Sequence, residues 1–486
     1  MRAESLALAL VAACSLLPGC AHLLRPEGNG GWSKERRTRE LGERATAAGV
    51  MLEPTADPVT PPPGEPLALD DALRLAAAQN RRIAIAERQL RIESARVRQT
   101  RARLLPSVTG SGRYSWYTDP RTTSVVLPPG VLPAGATPPD VIIRADQEGT
   151  LNGTLTVPID VWGEASRALE AAQAGYRGER ARVWATRLGE QVGVIRAYFD
   201  LLEAERLTEV TTQSLTAQRT QLQNAQSRFD SGRLTKNELL VVQVAVSSSE
   251  QQLVQRRLAA DQARWRLNRS LGLEVNAPTR VLDVRSRPVV PPIAETLDHA
   301  YHENPALAAL VEEQQRLEAT ASSLGRRRLP RFEGGAAIDW TSSDVIEPQR
   351  VGSGFVGFTW DLGTDGRREA EIAAAREAVE QNRIAIEAEL RDLEGAIRAT
   401  QGAAEERLAA LASAEAAVGQ AEENLRIREQ QFGAGRAASE DVLDAEALLT
   451  AQRATLASAL YQAHTRRAEL QELMGLATDT MAAGER

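Results

Sequence analysis

Apolar positions along this chain follow two periods in turn, seven and then two. Ile83, Leu90, Val97 and Leu104 recur at seven, as do Leu215, Leu222 and Phe229. Val246, Leu253 and Leu267 hold the same period with Ala260 between them, and so do Val418, Leu425 and Phe432, then Val442, Leu449, Leu456, Ala463 and Leu470. A strict sevenfold seam keeps one helix face against a partner and implies left-handed supercoiling, so long coiled-coil helices are expected. Between the helices the period falls to two. Val108, Tyr114 and Trp116 alternate with Ser107, Thr109, Ser111, Arg113 and Ser115, and Leu151, Leu155 and Val157 with Asn152, Thr154 and Thr156. Phe332, Ala336, Ile338 and Trp340 alternate with Glu333 and Asp339, while Val351 to Trp360 alternates less cleanly.

These segments predict strands at about 105–117, 147–160, 330–341 and 350–361. Each is close to the ~9–11 residues that cross a bilayer as a tilted strand. One apolar and one polar face is the pattern of a barrel wall between lipid and water. Four strands cannot close a barrel, and open edges are not tolerated in hydrocarbon, so closure must come from other chains. Three copies would supply about twelve strands, a workable pore. The expected fold class is mainly α with membrane β: a long α-helical coiled-coil barrel plus a 12-stranded β-barrel shared by a homotrimer, four strands per protomer.

The chain is internally duplicated. Asn80 aligns with Asn304 and Leu105-Pro106 with Leu329-Pro330 at one offset; Gly163 aligns with Gly366 and Gly272 with Gly475 at another. Phe229-Asp230-Ser231-Gly232-Arg233 matches Phe432-Gly433-Ala434-Gly435-Arg436. The two offsets differ because the first copy carries a longer loop, 118–146, whose Pro/Gly-rich stretches suit the open end of a barrel. This divides the chain into a first repeat at 66–274, a linker at 275–292, a second repeat at 293–477 and a tail at 478–486.

The N-terminus reads as an export signal. Leu6 to Leu17 is too short an apolar run to span a bilayer, and it ends in Leu17-Pro18-Gly19-Cys20, which resembles a lipoprotein processing box despite Pro18. Residues 1–19 are expected to be removed and Cys20 to carry acyl chains at the head of a segment running to 65; Ala21, where Asp would retain a lipoprotein, implies sorting to the outer membrane. Cys14 and Cys20 are the only cysteines, so no disulfide framework exists. A net charge of −7 argues against nucleic-acid binding. Aromatics at 4% are too few for a large compact core and fit Ala- and Leu-lined seams. No enzyme signature is present: of His22, His299, His302 and His464 only two lie close together, with no further ligand beside them, so neither metal nor cofactor is expected.

Two copies of helix, strand pair and long helical hairpin resemble the outer membrane efflux protein family, the TolC-like outer membrane factors, over roughly residues 66 to 477. The Leu-Pro before each first strand belongs to that pattern, as do Val157-Pro158-Ile159-Asp160, Phe358-Thr359-Trp360-Asp361 (with Thr359 replacing the usual proline) and the Phe-x-x-Gly turns. The resemblance implies a trimeric outer-membrane barrel on a periplasmic helical barrel. It also implies a mixed equatorial region at the linker and terminal segments. A periplasmic adaptor and an inner-membrane pump of RND or ABC type would feed the duct. Small-molecule efflux is the leading expectation. The same fold serving type I protein or peptide secretion is the alternative, and a structural coiled-coil envelope lipoprotein is a reading of another class.

In the resembling proteins the hairpin turns meet the adaptor, which places Gly232, Arg233, Gly435 and Arg436 at docking tips. Arginines stand where the family often has apolar residues, so a more polar contact is expected. Asp441 and Asp444 look like the family segment at the narrow periplasmic entrance, where rings of carboxylates attract cations. Glu238 is the first-copy counterpart of Asp441, and Val241 that of Asp444. For Glu238 and Asp441 the aperture and a helix N-terminus are equal readings; for Asp444 the aperture is favoured. Glu238 is also placed to pair with Arg436 across the tip and latch the entrance.

Overall fold

The computed structural model describes residues 66–124, 140–284, 286–343, 345–363 and 366–477. The expected signal 1–19, Cys20, the segment up to 65 and the tail 478–486 lie outside the described residues.

Each repeat opens with a short and a medium helix. These are α1 (Leu69–Gln79) and α2 (Arg81–Ala102) in the first copy. Asn80 separates them by capping α2, its side chain accepting from the Arg82 and Ile83 amides. The first-copy strands are β1 (Ser107–Trp116), β2 (Arg121–Ser124), β3 (Asp140–Arg144) and β4 (Gln147–Ile159). Helices α3 (Glu164–Asp230) and α4 (Lys236–Leu271) complete the copy. The second copy repeats the order with α5 (Ile293–Glu303), α6 (Pro305–Arg326), β5 (Arg331–Thr341), β6 (Arg350–Thr359), α7 (Arg367–Gly433) and α8 (Ser439–Leu473). Asn304 caps α6 as Asn80 caps α2. Both α3 and α7 are 67 residues long, roughly 100 Å at the helical rise.

Helix α2 packs on α3, α3 on α6, and α6 on α7, while α4 and α8 run back along α3 and α7. The sevenfold seams supply the contacts: Leu215 and Leu222 of α3 pack with Val246 and Leu253 of α4. Near the helix midpoints sits the main core, with Val194, Ile195, Tyr198, Phe199 and Leu201 of α3 against Leu267 and Leu271 of α4, Leu73 of α1 and Tyr461 of α8. The linker is tied there. Leu67 forms a parallel bridge with Val281, and the Tyr198 hydroxyl lies within hydrogen-bond reach of the Leu67 and Leu282 carbonyls, at 3.0 and 2.7 Å. His464, stacked on Phe199, holds the Ser286 carbonyl through Nε2 at 2.8 Å. At the position of the second repeat matching Tyr198, Gln401 donates to the Pro291 carbonyl at 2.9 Å.

The four long strands form one antiparallel sheet in the order β1-β4-β5-β6, leaving β1 and β6 as edges within the chain. Residues paired directly across an antiparallel ladder share a face. Val108 opposite Leu155, Gly112 opposite Leu151, Leu151 opposite Trp340, Ile159 opposite Phe332 and Phe332 opposite Phe358 build an apolar face. Ser107 opposite Thr156, Thr109 opposite Thr154 and Asn152 opposite Asp339 build a polar one, and the Asn152 amide donates to the Asp339 carboxylate. The broken alternation of β6 has a physical cause. Phe355 falls on the polar face opposite Gly335, where its ring occupies the space of an absent side chain: a Cβ on Gly335 would stand 2.8 Å from it.

The 118–146 loop contains a second antiparallel hairpin of β2 and β3, separate from the four-stranded sheet. Val141, Ile142 and Ile143 are β-branched and favour a strand, a signal masked by the neighbouring prolines and glycines. Among the described residues no helix is long and apolar enough to cross a membrane.

Candidate functional site

The two helical hairpins turn through the same backbone motif. Gly232 and Gly435 have φ of +66° and +73°, a region open to glycine at little cost. In the first tip the Arg233 amide donates to the Arg228 carbonyl at 2.8 Å and the Gly232 amide to that of Phe229 at 2.9 Å. In the second, Arg436 donates to Gln431 at 2.8 Å and Gly435 to Phe432 at 3.0 Å. This is the paired-bond glycine stop that satisfies the last carbonyls of a helix. It sets Arg233 and Arg436 at the apex, both exposed.

The return helices start differently. Thr235 caps α4: its hydroxyl accepts from the Glu238 amide at 3.3 Å, and the Glu238 carboxylate accepts from the Thr235 amide at 2.8 Å and hydroxyl at 2.7 Å. Those bonds from Thr235, hydroxyl first and amide second, hold the Glu238 carboxyl below the usual range. In the second tip Ala438 stands where Thr235 does. Alanine has no acceptor, so only the return arm exists, the Ala438 amide donating to Asp441 at 2.9 Å. Arg428 of α7 faces the same carboxylate at 3.8 Å. Asp441 is half-buried, and Asp444, one turn on, is exposed.

Glu238 and Arg436 do not meet within the chain. Glu238 is engaged by Thr235, and Arg436 has no ion pair among the described residues. The tips are joined by contacts that the sequence did not single out. The guanidinium of Arg228 lies 4.0 Å over the Phe432 ring centre and donates to the Phe432 carbonyl at 3.4 Å. Leu443 of α8 packs on the first-tip cluster of Ala225, Leu239 and Val242. Glu446, on α8, is half-buried; burial first, and Glu429 of α7 as well, push its carboxyl up, against Arg453 and the Ser214 hydroxyl of α3. Among the described residues no group of three His, Cys, Asp or Glu side chains is placed to hold a metal ion.

A family model described as outer membrane efflux protein matches residues 72–273 and 296–476, the two repeats themselves. The chain belongs to the outer membrane efflux protein family. That is a family of channel proteins and not of enzymes. Among solved structures, the chain is similar to the outer membrane protein VceC of Vibrio cholerae, with 18% identity over 85% of this chain and 97% of that one and a TM-score of 0.71. The Campylobacter jejuni CmeC outer membrane channel matches at 15% identity over 84% and 85%, TM-score 0.71. The open state of the Neisseria gonorrhoeae MtrE outer membrane channel matches at 16% identity over 84% and 89%, TM-score 0.67. These likenesses establish the shared fold. No curated protein matches the chain.

Proposed function

We propose that three copies of this chain close into one duct, in which the sheets form an outer-membrane barrel and the long helices a periplasmic tunnel. The observation that carries this reading is a four-stranded sheet with one apolar face and, within the chain, two unpaired edges. A lone sheet of that kind leaves a row of backbone donors and acceptors open in hydrocarbon, a cost that closure with neighbouring copies removes. The duct conducts passively, as the exit component of a tripartite efflux system. An adaptor meets Gly232, Arg233, Gly435 and Arg436 at the tips, and an inner-membrane pump selects the cargo. Asp441 and Asp444 line the periplasmic aperture, and acyl chains on Cys20 anchor the mature chain.

Single-channel recording of the purified protein in planar bilayers tests the duct. Small, cation-selective currents are expected from a tip-closed trimer. A folded protein that never forms channels overturns the reading. Metabolic labelling with a fatty acid tests the anchor, and label retained by Cys20→Ala would remove Cys20 from it.

A further inference from the structure

Where the sheet meets the helices, a groove of about 950 Å³ opens between the last turns of α2 and α6, the first turns of α3 and α7, and the ends of the strands. Five arginines line it, Arg103, Arg327, Arg331, Arg367 and Arg368, with the acids Asp160, Glu164, Asp361 and Glu371. Three of these acids are committed. Asp160 accepts from the Ala165 and Ser166 amides at 3.2 and 2.8 Å and from the Ser166 hydroxyl at 2.6 Å, opening α3. Glu164 pairs with Arg327 at 3.1 Å, and Asp361 lies between Arg331 at 3.1 Å and Arg368 at 3.9 Å. The guanidinium groups of Arg103 and Arg367 have no partner among the described residues, against one uncommitted acid, Glu371.

Helix electrostatics account for part of this cluster only. Arg103 and Arg327 are the C-cap residues of α2 and α6, where positive charge is favoured. Arg367 and Arg368 open α7, where positive charge is disfavoured, and the first copy has Glu164 and Ala165 at the matching places. The second copy therefore carries two cations against its helix dipole, directed into a groove that already holds three more.

We propose that this groove binds a phosphate-type oxyanion, gripped by Arg103 and Arg367 with the free donors of Arg327. A guanidinium offers five N–H donors in a fork that matches phosphate oxygens, and Arg327 spends only its Nε on Glu164. Trp162 and Phe332, with ring centres 6.5 Å apart, line the same groove and suit the organic part of such a ligand. The ends of β4 and β5, the central strands of the sheet, border the groove. The oxyanion is either the phosphodiester of an anionic lipid or a soluble phosphate; both present the same oxygens.

The test reads binding and not conduction, so it stands apart from the duct reading. Full-length protein purified in detergent is offered phosphatidylglycerol or phosphatidylcholine and examined by native mass spectrometry, and is separately titrated with pyrophosphate by calorimetry. The double variant Arg103→Gln/Arg367→Gln is compared with wild type and with Arg391→Gln, an exposed arginine far along α7. Loss of two charge-assisted contacts weakens binding by about tenfold or more. Phosphatidylglycerol adducts that phosphatidylcholine does not form, reduced in the double variant alone, identify a lipid headgroup. Saturable pyrophosphate binding reduced in the same way, without selective lipid adducts, identifies a soluble anion. Wild type that binds neither probe, or a folded double variant that binds both as wild type does, overturns the proposal.

Discussion

Arg228 of the first hairpin covers the ring of Phe432 in the second, and its guanidinium also reaches the Phe432 carbonyl oxygen. Phe432 is 7% exposed, so this contact is partly shielded from water. Cation–π pairs contribute about 0.5–2 kcal/mol, more as they are desolvated. Arg228→Ala is expected to weaken the joined state of the tips by roughly 1 kcal/mol, about fivefold in population. In the duct reading this raises the open probability of single channels by a similar factor. Arg228→Lys keeps the charge and loses the flat stacking group, so it should fall between the two. An open probability unchanged in Arg228→Ala would show that this contact does not hold the tips together.

Asp441 and Asp444 are separable because the structure gives only one of them a local duty. Asp441 accepts from the Ala438 amide and faces Arg428; Asp444 is exposed and makes neither contact. Asp441→Asn should cost about 0.5–1 kcal/mol of local helix stability in addition to any change in conduction. Asp444→Asn should lower cation selectivity and leave the melting temperature unchanged. Bilayer recordings beside thermal unfolding of the same preparations decide this. A selectivity that survives in both variants would move the constriction elsewhere.

Gly335 is held to glycine by its neighbours and not by its backbone angles. A methyl there would meet the Leu155 carbonyl and the Phe355 ring at once. Gly335→Ala should therefore disrupt the β4–β5–β6 ladder, and overpacking of this kind costs typically 1–3 kcal/mol. The readout is heat-resistant trimer migration in gels, expected to fall to a lower temperature. Gly352→Ala, on the same sheet with nothing within 4 Å of the added carbon, is the matched control and should migrate as wild type.

The fold class was legible because its two periods are carried by many residues each. The seams at Leu215, Leu222 and Phe229 and at Val418, Leu425 and Phe432 stand on α3 and α7, helices of equal length in the two copies. The glycine stops at Gly232 and Gly435 were legible because only glycine suits that backbone. What escaped was non-periodic. Phe355 broke the alternation of β6 because it fills the space opposite a glycine on the next strand, a relation only the register reveals. The β2–β3 hairpin was hidden by the prolines and glycines around it. The Arg228–Phe432 contact joins residues far apart in sequence through a side chain that resembles any other solvated arginine. The duty of Glu238 depends on Thr235 standing three residues before it, where its amide and hydroxyl both reach the carboxylate.

Glu446 gives the tip region a pH dependence whose direction follows from its surroundings. Burial between α8 and α3, reinforced by Glu429 of α7, raises its carboxyl above the ordinary range, while Arg453 of α8 and the Ser214 hydroxyl act in the opposite direction and only partly offset it. A carboxyl raised on folding binds its proton more tightly in the folded state, so folding is favoured where the group is protonated. Its contribution is fully present below the unfolded value. It is lost as pH rises through the folded one, which leaves a penalty at neutral pH. Glu446→Gln removes the ionisation and keeps the shape of the side chain. It should raise the melting temperature at pH 7 and make no difference at pH about 4, where wild type is already protonated. Melting curves of both proteins across that range measure the effect. A variant less stable than wild type at pH 7 would mean that the carboxylate is held by its Arg453 neighbour more strongly than burial opposes it.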